Sequence, residues 1–571
     1  MTPVWRYAFQ ALAGALAFRW CFPKQPNPSE SIGVLQDRFE LLIDRANKSF
    51  SAMISARTDT LATTVEAYML RRHRSPPPGF AEWYRLAVQH DAVIVESFWD
   101  PIYEDLDPFS KYSAHELGVM AHIVATTSSP LIDGYVIKNG SVVGTCEPAN
   151  LPCLQVQAML GRIADKLPDL VLPFNGHASP RVLADTSTAA HGHQNLRWLN
   201  DSPLFTIPHD RLAIMQLACG GNSSLAVFPG DDGSRSIIES VRPGTISVHA
   251  DAPGDPVVYD PQRWGDVCTQ PWLLQMHGAL IRPNCLNITT ELMPLFSPAK
   301  VAGIETAIRY PDSIYWSREP GYHADASRRT PWKAKSNKAF WRGANTGGGH
   351  GPEHWQSFHR HRFVALTNAT YLSSVKEGRQ QGWAERGMPI TDRKLQVTRE
   401  YIDTGFSTIR CRDDAFRSSN QGCSYLDAHF RVLPWQSLSH VLSSYRYLFD
   451  LDGNSYSGRF HSLLSSESVV LKATMFREWH DARLLPWLHF VPISNHFGED
   501  LWDVLDFLVT NEIHGEWIAA SARRWALQVL RPVDMELYLL RLLLEWSRLV
   551  GARAESRNTP AAPSKFESFP A

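Results

Sequence analysis

The residues best suited to chemistry lie late in the chain, in "RYLFDLDGNSYSGRFHSLL", residues 446 to 464. An apolar run stops at Asp452-Gly453, a polar run follows, and Arg459 opens a predicted helix. A cation in a first helical turn opposes the helix dipole and is unfavourable unless an anion meets it. After a parallel strand, the next helix offers unpaired backbone N–H groups, where phosphates commonly bind. Gly453 lets the chain turn tightly, and Ser455 and Ser457 offer hydroxyls and a candidate N-cap. A solvent-facing arginine behind a serine cap explains the same residues without a ligand.

A second loop, "WRGANTGGGHG", carries glycines that let a backbone approach a ligand closely. It is neither a Walker A loop nor a G-x-G-x-x-G turn. Arg360 and Arg362 follow one short segment later, and the arginine fork suits phosphate oxygens. Two arginines from different elements would neutralise a leaving diphosphate. A flexible surface loop is the plainer reading of "GGGHG". Asp450-Leu451-Asp452 resembles the D-x-D pair that holds a divalent metal in some glycosyltransferases, but three-residue matches are frequent by chance and no metal is assigned.

The elements that must position these loops follow from periodicity. "YRYLFDL" reads as a buried strand, "GRFHSLLSS" as a helix and "SVVLKAT" as a strand, which makes a βαβ unit and a parallel sheet. Lys338 to Arg342 reads as a strand running into the glycine loop, and "SFHRHRFVALTNATYL" as a helix. Residues 28 to 75 read as helical up to "RRHRSPPPGF", and "AEWYRLAVQHDAVIVESFW" resumes helical spacing. Between about 120 and 330, β-rich runs ("GYVIKNGSVVGT", "DLVLPF", "TISVHA") alternate with helical ones ("LQVQAMLGRIADKL", "VAGIETAI"). Helices close the chain.

The chain has 571 residues, enough for two to four domains, with 44% hydrophobic and 20% charged residues and a net charge of −2. That charge makes nucleic acid an unfavoured partner. The 19 Trp suit stacking on sugar or base rings, though core filling is the plainer reading. The apolar stretch Tyr7 to Phe18 is too short to span a membrane as it stands. It suits a signal-peptide core or short signal-anchor, or an ordinary amphipathic helix. Eight cysteines show no zinc spacing; Cys146 with Cys153, Cys411 with Cys423 and Cys268 with Cys285 are candidate pairs. Sequons at Asn47, Asn139, Asn222, Asn287 and Asn368 lean toward the secretory pathway.

The stretch "YLFDLDGNSYSGRFHSLLSSESVVLKATMFREWHDARLLPWLHFVPI" resembles the capsule-associated xylosyltransferase and protein O-glucosyltransferase family, glycosyltransferase family 90. Its Gly turn, S-x-R, strand ending in Lys472, Glu478-Trp479 and "PWLHFVP" form a long pattern. "AFWRG" resembles the family's donor-domain entry. "HGALIRPNCLNITTELMPLFSPAK", "YPDSIYW" and "PPPGFAEWYRLAVQHDAVIVESFWDPIYEDLDPF" resemble its fungal branch. The resemblance implies an α/β, GT-B-type fold with two Rossmann-like domains facing across a cleft and an N-terminal helical extension. The expected division is a signal-anchor and helical stem over 1–71, an acceptor-side domain over 72–330, a nucleotide-sugar domain over 331–550 and a disordered tail over 551–571.

It also implies an inverting, metal-independent enzyme of the Golgi or endoplasmic reticulum lumen, without a cofactor, that moves xylose or glucose from UDP-xylose or UDP-glucose to a hydroxyl of a glycan or glycoprotein. Donor contacts fall on Gly343, Ala344, Asn345 and Thr346, on Arg360 with Arg362 close by, and on Asn454, Ser455, Tyr456, Ser457, Gly458 and Arg459. His277, Tyr315 and Trp316 match motifs lining the cleft. One departure bears on activity. The family's catalytic aspartate lies two residues before a proline in a strand-end loop, and the matching position in "LPDLVLPFNGHASPRVL" is Ala178. Alanine cannot take a proton. His177, with a suitable ordinary pKa, and Asp185 are the candidate replacements; otherwise the chain binds a UDP-sugar or glycan without transferring it.

Overall fold

The computed structural model describes residues 28–126, 131–184, 210–221, 223–225, 258–283, 287–319, 321–324, 329–352, 354–410 and 423–551. The apolar stretch 7–18, Asp185, the run "TISVHA", Asn222, Cys285, Cys411 and the tail 552–571 lie outside the described residues. The chain divides into two units, residues 1–45 and 46–571. The described part of the first belongs to the helix Pro28–Ser55, which runs on into the second. Among the described residues, no helix is long and apolar enough to cross a membrane.

The second unit is mixed α/β and contains two five-stranded sheets. The first has the order β2-β1-β3-β4-β6, built from β1 (Ile132–Lys138), β2 (Ser141–Gly144), β3 (Leu170–Asn175), β4 (Phe296–Ser297) and β6 (Ile308–Arg309). β1 runs antiparallel to β2 and β3, whereas β3, β4 and β6 are parallel. β1 and β2 form the hairpin that "GYVIKNGSVVGT" anticipates, turning at Asn139-Gly140 with positive φ at both residues, the signature of a tight hairpin turn.

The second sheet is wholly parallel, in the order β12-β10-β9-β7-β8. Its strands are β7 (Ser336–Ala344), β8 (Ile402–Thr408), β9 (Tyr445–Leu451), β10 (Val469–Ala473) and β12 (Val491–Pro492). β9 and β10 pair in parallel through the helix Phe460–Leu464, so the expected βαβ unit is present. β10 is buried along its whole length and β9 almost so, which is why both read as continuous apolar runs rather than as alternation. A short antiparallel pair, β5 (Ala299–Val301) with β11 (Phe476–Glu478), completes the strands among the described residues.

One apolar cluster runs through both sheets. It includes Leu172, Phe174 and Phe296 of the first sheet, Phe340, Leu448 and Val470 of the second, and Leu537 to Trp546 of the last helix. Each fully buried side chain of this size contributes roughly 1.5–3 kcal/mol. That last helix, Pro532–Leu549, packs back on the helix Phe80–Gln89, where Trp83 Nε1 donates to Leu537 O at 3.1 Å.

Several local expectations are corrected. "VAGIETAI" is not helical: Val301 pairs with Phe476 in β5, and Gly303 sits at φ +85°, where a Cβ would meet Asp266 Oδ1 at 2.2 Å. Tertiary packing there overrides helical spacing. Residues 28 to 75 form two helices, Pro28–Ser55 and Leu61–Arg72, because Thr60 caps the second through Thr63 N. The helix after the three prolines stops at Gln89, ahead of Asp91 at φ +49° and the β-branched run Val93–Val95. "SFHRHRFVALTNATYL" splits into His359–Leu366 and Ala369–Lys376, since Asn368 Oδ1 accepts from Thr370 N and Tyr371 N. Cys146 pairs with Cys153 as expected, but Cys268 pairs with Cys219 rather than with Cys285. Cys423 is also disulfide-bonded.

Candidate active site

β7 and β9 are neighbours, so their carboxyl ends bring the glycine loop and the turn 452–459 together. Arg360, buried on the helix His359–Leu366, ties the two ends. Its Nε donates to Asp452 O at 2.7 Å, Nη2 to Leu451 O at 3.0 Å, and Nη1 to Ala344 O and Thr346 Oγ1, both at 2.8 Å. Gly453 leaves room for it, since a Cβ there would lie 3.3 Å from Arg360 Nη2. Burial and the neighbouring Arg459 guanidinium pull the Arg360 pKa down to about 9. The opposing pulls of Asp452 and Asp450 are weaker.

Arg459 is half-buried and donates to Arg342 O at 2.8 Å. No carboxylate pairs with it among the described residues. Burial lowers its pKa, and Asp450 partly offsets this. Arg459 is itself the residue before the helix Phe460–Leu464, and no side chain caps that helix. The expected serine cap is therefore absent. Ser457 offers its carbonyl to Phe460 N instead, and Ser455 Oγ is buried without a protein partner. With five residues, the helix has little dipole to offer, so any anion there depends on the arginines.

The glycine loop is fixed by backbone contact. Gly347 and Gly348 have φ +123° and +110°, and a Cβ on Gly278 would sit 1.8 Å from Gly347 O. Asn454 Oδ1 accepts from Gly347 N at 3.1 Å, joining the loop to the turn. Gly343 packs on the Trp341 ring, and Asn345 spends its side chain on Arg410 N and O and on His350. His277 Nδ1 accepts from Ala279 N, so Nε2 carries the proton and donates to Asp452 Oδ2 at 3.2 Å. Asp452 Oδ2 also accepts from Met475 N, and Asp450 Oδ2 binds Lys472 Nζ at 2.8 Å. The Oδ2 atoms of the D-x-D pair are thus taken by protein partners, while Oδ1 of each is buried without one among the described residues.

Contacts also run from this turn to the loop that leaves β6. Tyr456 OH donates to Asp312 Oδ2, and Tyr315 OH donates to Ser457 O at 2.9 Å. Tyr315 stacks on His461 with 3.7 Å between ring centroids, and Gly458 lies against Ile314 and Tyr322. Burial pushes the Asp312 carboxyl up to about 6. Two expected residues lie apart from this cluster. Arg362 donates to Asn495 O and His496 O on the far side of its helix, and Trp316 Nε1 donates to Glu536 Oε1 at 3.0 Å.

His177 and Ala178 occupy the loop after β3. His177 Nδ1 lies 2.9 Å from Ser179 Oγ, so the imidazole turns back on its own loop. Ala178 adopts φ +53°, a left-handed conformation that alanine rarely takes. Asp312 falls within the quoted "YPDSIYW" without a role of its own, and the loop-facing Asp133 went unread in the sequence. The motif Asp312-Ser313 is an N-cap signal that would have located the first.

The sequence model described as Glycosyl transferase family 90 matches residues 433–561. The O-glucosyltransferase rumi of Drosophila pseudoobscura pseudoobscura is 31% identical over 108 residues, covering 19% of this chain and 26% of that protein. The Protein O-glucosyltransferase 1 of Rattus norvegicus is 24% identical over 168 residues, covering 27% and 43%. The O-glucosyltransferase rumi homolog of Anopheles gambiae is 24% identical over 286 residues, covering 47% and 59%. The chain thus spans less than two thirds of the length of each of these relatives. Because the matched segment contains the turn, Arg459, Lys472 and Glu478, the chain carries a glycosyl transferase family 90 segment over residues 433–561.

Proposed function

We propose that this protein is an inverting glycosyltransferase that moves glucose or xylose from a UDP-sugar to a hydroxyl of a glycan or glycoprotein. The observation that carries this reading is the Arg360–Arg459 pair, two guanidinium groups at adjacent strand ends with no carboxylate paired to either among the described residues. Such a pair suits a diphosphate leaving group, whose charge grows as the glycosidic bond breaks. The glycine loop beside it lets the nucleotide approach the backbone. In this reading the two sheets are the halves of a GT-B fold, and the loops at their carboxyl ends line the cleft. Arginines rather than a metal stabilise UDP.

The relatives' printed names favour glucose as the donor sugar, while the fungal resemblance favours xylose. Pocket shape discriminates a single hydroxymethyl group only modestly. The disulfides suit an oxidising lumen of the secretory pathway.

A second reading, a UDP-sugar-binding protein without chemistry, is favoured by Ala178, which offers no proton acceptor. One experiment separates the two. The purified protein is mixed with UDP-glucose or UDP-xylose and a mannoside in EDTA, and UDP release is followed beside calorimetric UDP binding. Release above the protein-free rate supports transfer; binding without release supports the second reading; no binding rejects both.

A further inference from the structure

An inverting transfer needs a proton acceptor close to where the first sheet's carboxyl edge meets the donor turn, and neither Ala178 nor its ring neighbour supplies one in a free orientation. Asp133 does have such an orientation. It is the second residue of β1, which runs antiparallel to β3, so it stands opposite Phe174 at the carboxyl end of β3. Its carboxylate lies in the hollow left by Gly176, where a Cβ would come within 2.8 Å of Asp133 Oδ2. That puts the carboxylate against Gly176, two residues before Ala178. Its one hydrogen bond is weak, from Asn150 Nδ2 to Oδ1 at 3.5 Å, and the side chain is half-buried rather than sealed.

Asp312, a second carboxylate on this edge, is committed. Asp312 Oδ1 caps its helix through Ile314 N and Ser313 Oγ, and Oδ2 accepts from Tyr456. Tyr310 of the same edge packs on Phe174, the register partner of Asp133, with 4.6 Å between ring centroids; its phenol is raised by burial first, then by Asp312, Tyr135 and Asp133. The edge that carries Asp133 meets the donor turn through Asp312 and Tyr456. A general base needs a carboxylate oxygen that is not already held by protein donors, which Asp133 Oδ2 provides among the described residues.

We propose that Asp133 is the general base of this chain, standing in for the acid missing at Ala178. The proposal rests on the glycosyltransferase reading above. The acceptor hydroxyl oxygen forms the new bond to the anomeric carbon while its proton passes to an Asp133 oxygen. The bond from the anomeric carbon to the diphosphate oxygen breaks, and its electron pair leaves with UDP. Partial burial raises the Asp133 carboxyl, which improves it as a base.

The test uses the full chain with UDP-glucose and UDP-xylose, each with methyl mannoside or with water alone as acceptor. Asp133→Asn should lower UDP release by about 10²–10⁴-fold, leaving UDP affinity within about twofold and the melting temperature nearly unchanged. Adding Ala178→Asp to Asp133→Asn should restore part of the rate, because aspartate tolerates the left-handed backbone there. Release by Asp133→Asn within about threefold of wild type, with UDP still bound, overturns the assignment while the donor-site reading stands. UDP bound by a wild-type chain that never releases it from either sugar also overturns it and leaves a binding protein. Failure of the wild type to bind UDP overturns the donor-site reading and this assignment together.

Discussion

His277 and His359 lie face to face, with 3.9 Å between ring centroids, and both hold Asp452. His277 donates to its carboxylate, and His359 Nε2 donates to its carbonyl at 2.6 Å. The glycine loop, the turn and the His277-Gly278 segment are thus one packed unit in which each histidine stays neutral. Burial drives the His277 pKa down to about 3 and that of His359 well below the ordinary value.

The pH dependence of stability follows from that neutrality. Between pH 6.5 and 3 the unfolded chain takes up a proton at residue 277 that the folded chain refuses, so acid removes stability. His277→Asn, which can still cap Ala279 but loses Asp452, should cost about 1–3 kcal/mol at pH 7. The gap to wild type should narrow by up to about 1.4 kcal/mol for each pH unit below 6.5. Urea unfolding at pH 7, 6 and 5 measures it; a gap that widens with acid would contradict the assigned tautomer.

Arg459→Ala should weaken UDP binding by about 10–100-fold, the range for losing charged hydrogen bonds. Its side chain is half-buried with one backbone bond, so the melting temperature should move little. Calorimetry and thermal melts read the two effects separately, and unchanged affinity would remove Arg459 from the donor site.

Arg360→Lys should behave differently. The fork makes four hydrogen bonds to the ends of both strands, and an ammonium can replace only some of them. We expect a loss of about 3 kcal/mol of stability together with weaker UDP binding. A variant as stable as wild type in denaturant titration would show that the clamp is dispensable.

Gly278→Ala should destabilise by about 1–3 kcal/mol, since backbone cannot rotate away from a clash as a side chain can. The contact is with Gly347 O, so the glycine loop must shift and UDP affinity should fall with stability. Full affinity in the variant would mean that the loop does not contact the nucleotide.

Ala178→Gly should stabilise the fold by up to about 1 kcal/mol, relieving the left-handed backbone at φ +53°. A melting temperature below that of wild type would show that the strain is offset by contacts of the alanine methyl.

Much of this site was legible from local pattern. Buried parallel strands read as unbroken apolar runs, and turn residues punctuate them, so β9, its turn, the helix and β10 could be located from the sequence. The glycine loop and the Arg459 position were visible for the same reason, because they depend on residues close in the chain. What the tertiary structure alone decided was direction and pairing at a distance. Arg360 and Arg362 are both donor-site candidates in sequence, Arg360 first, and helix rotation turns Arg360 to the strand ends and Arg362 to residues 495–496. Cys268 meets Cys219 because the packing of distant segments, and not spacing, sets which sulfurs approach. Asp133 reaches the loop after β3 only through the antiparallel register of β1, a relation between separate strands that no local pattern encodes.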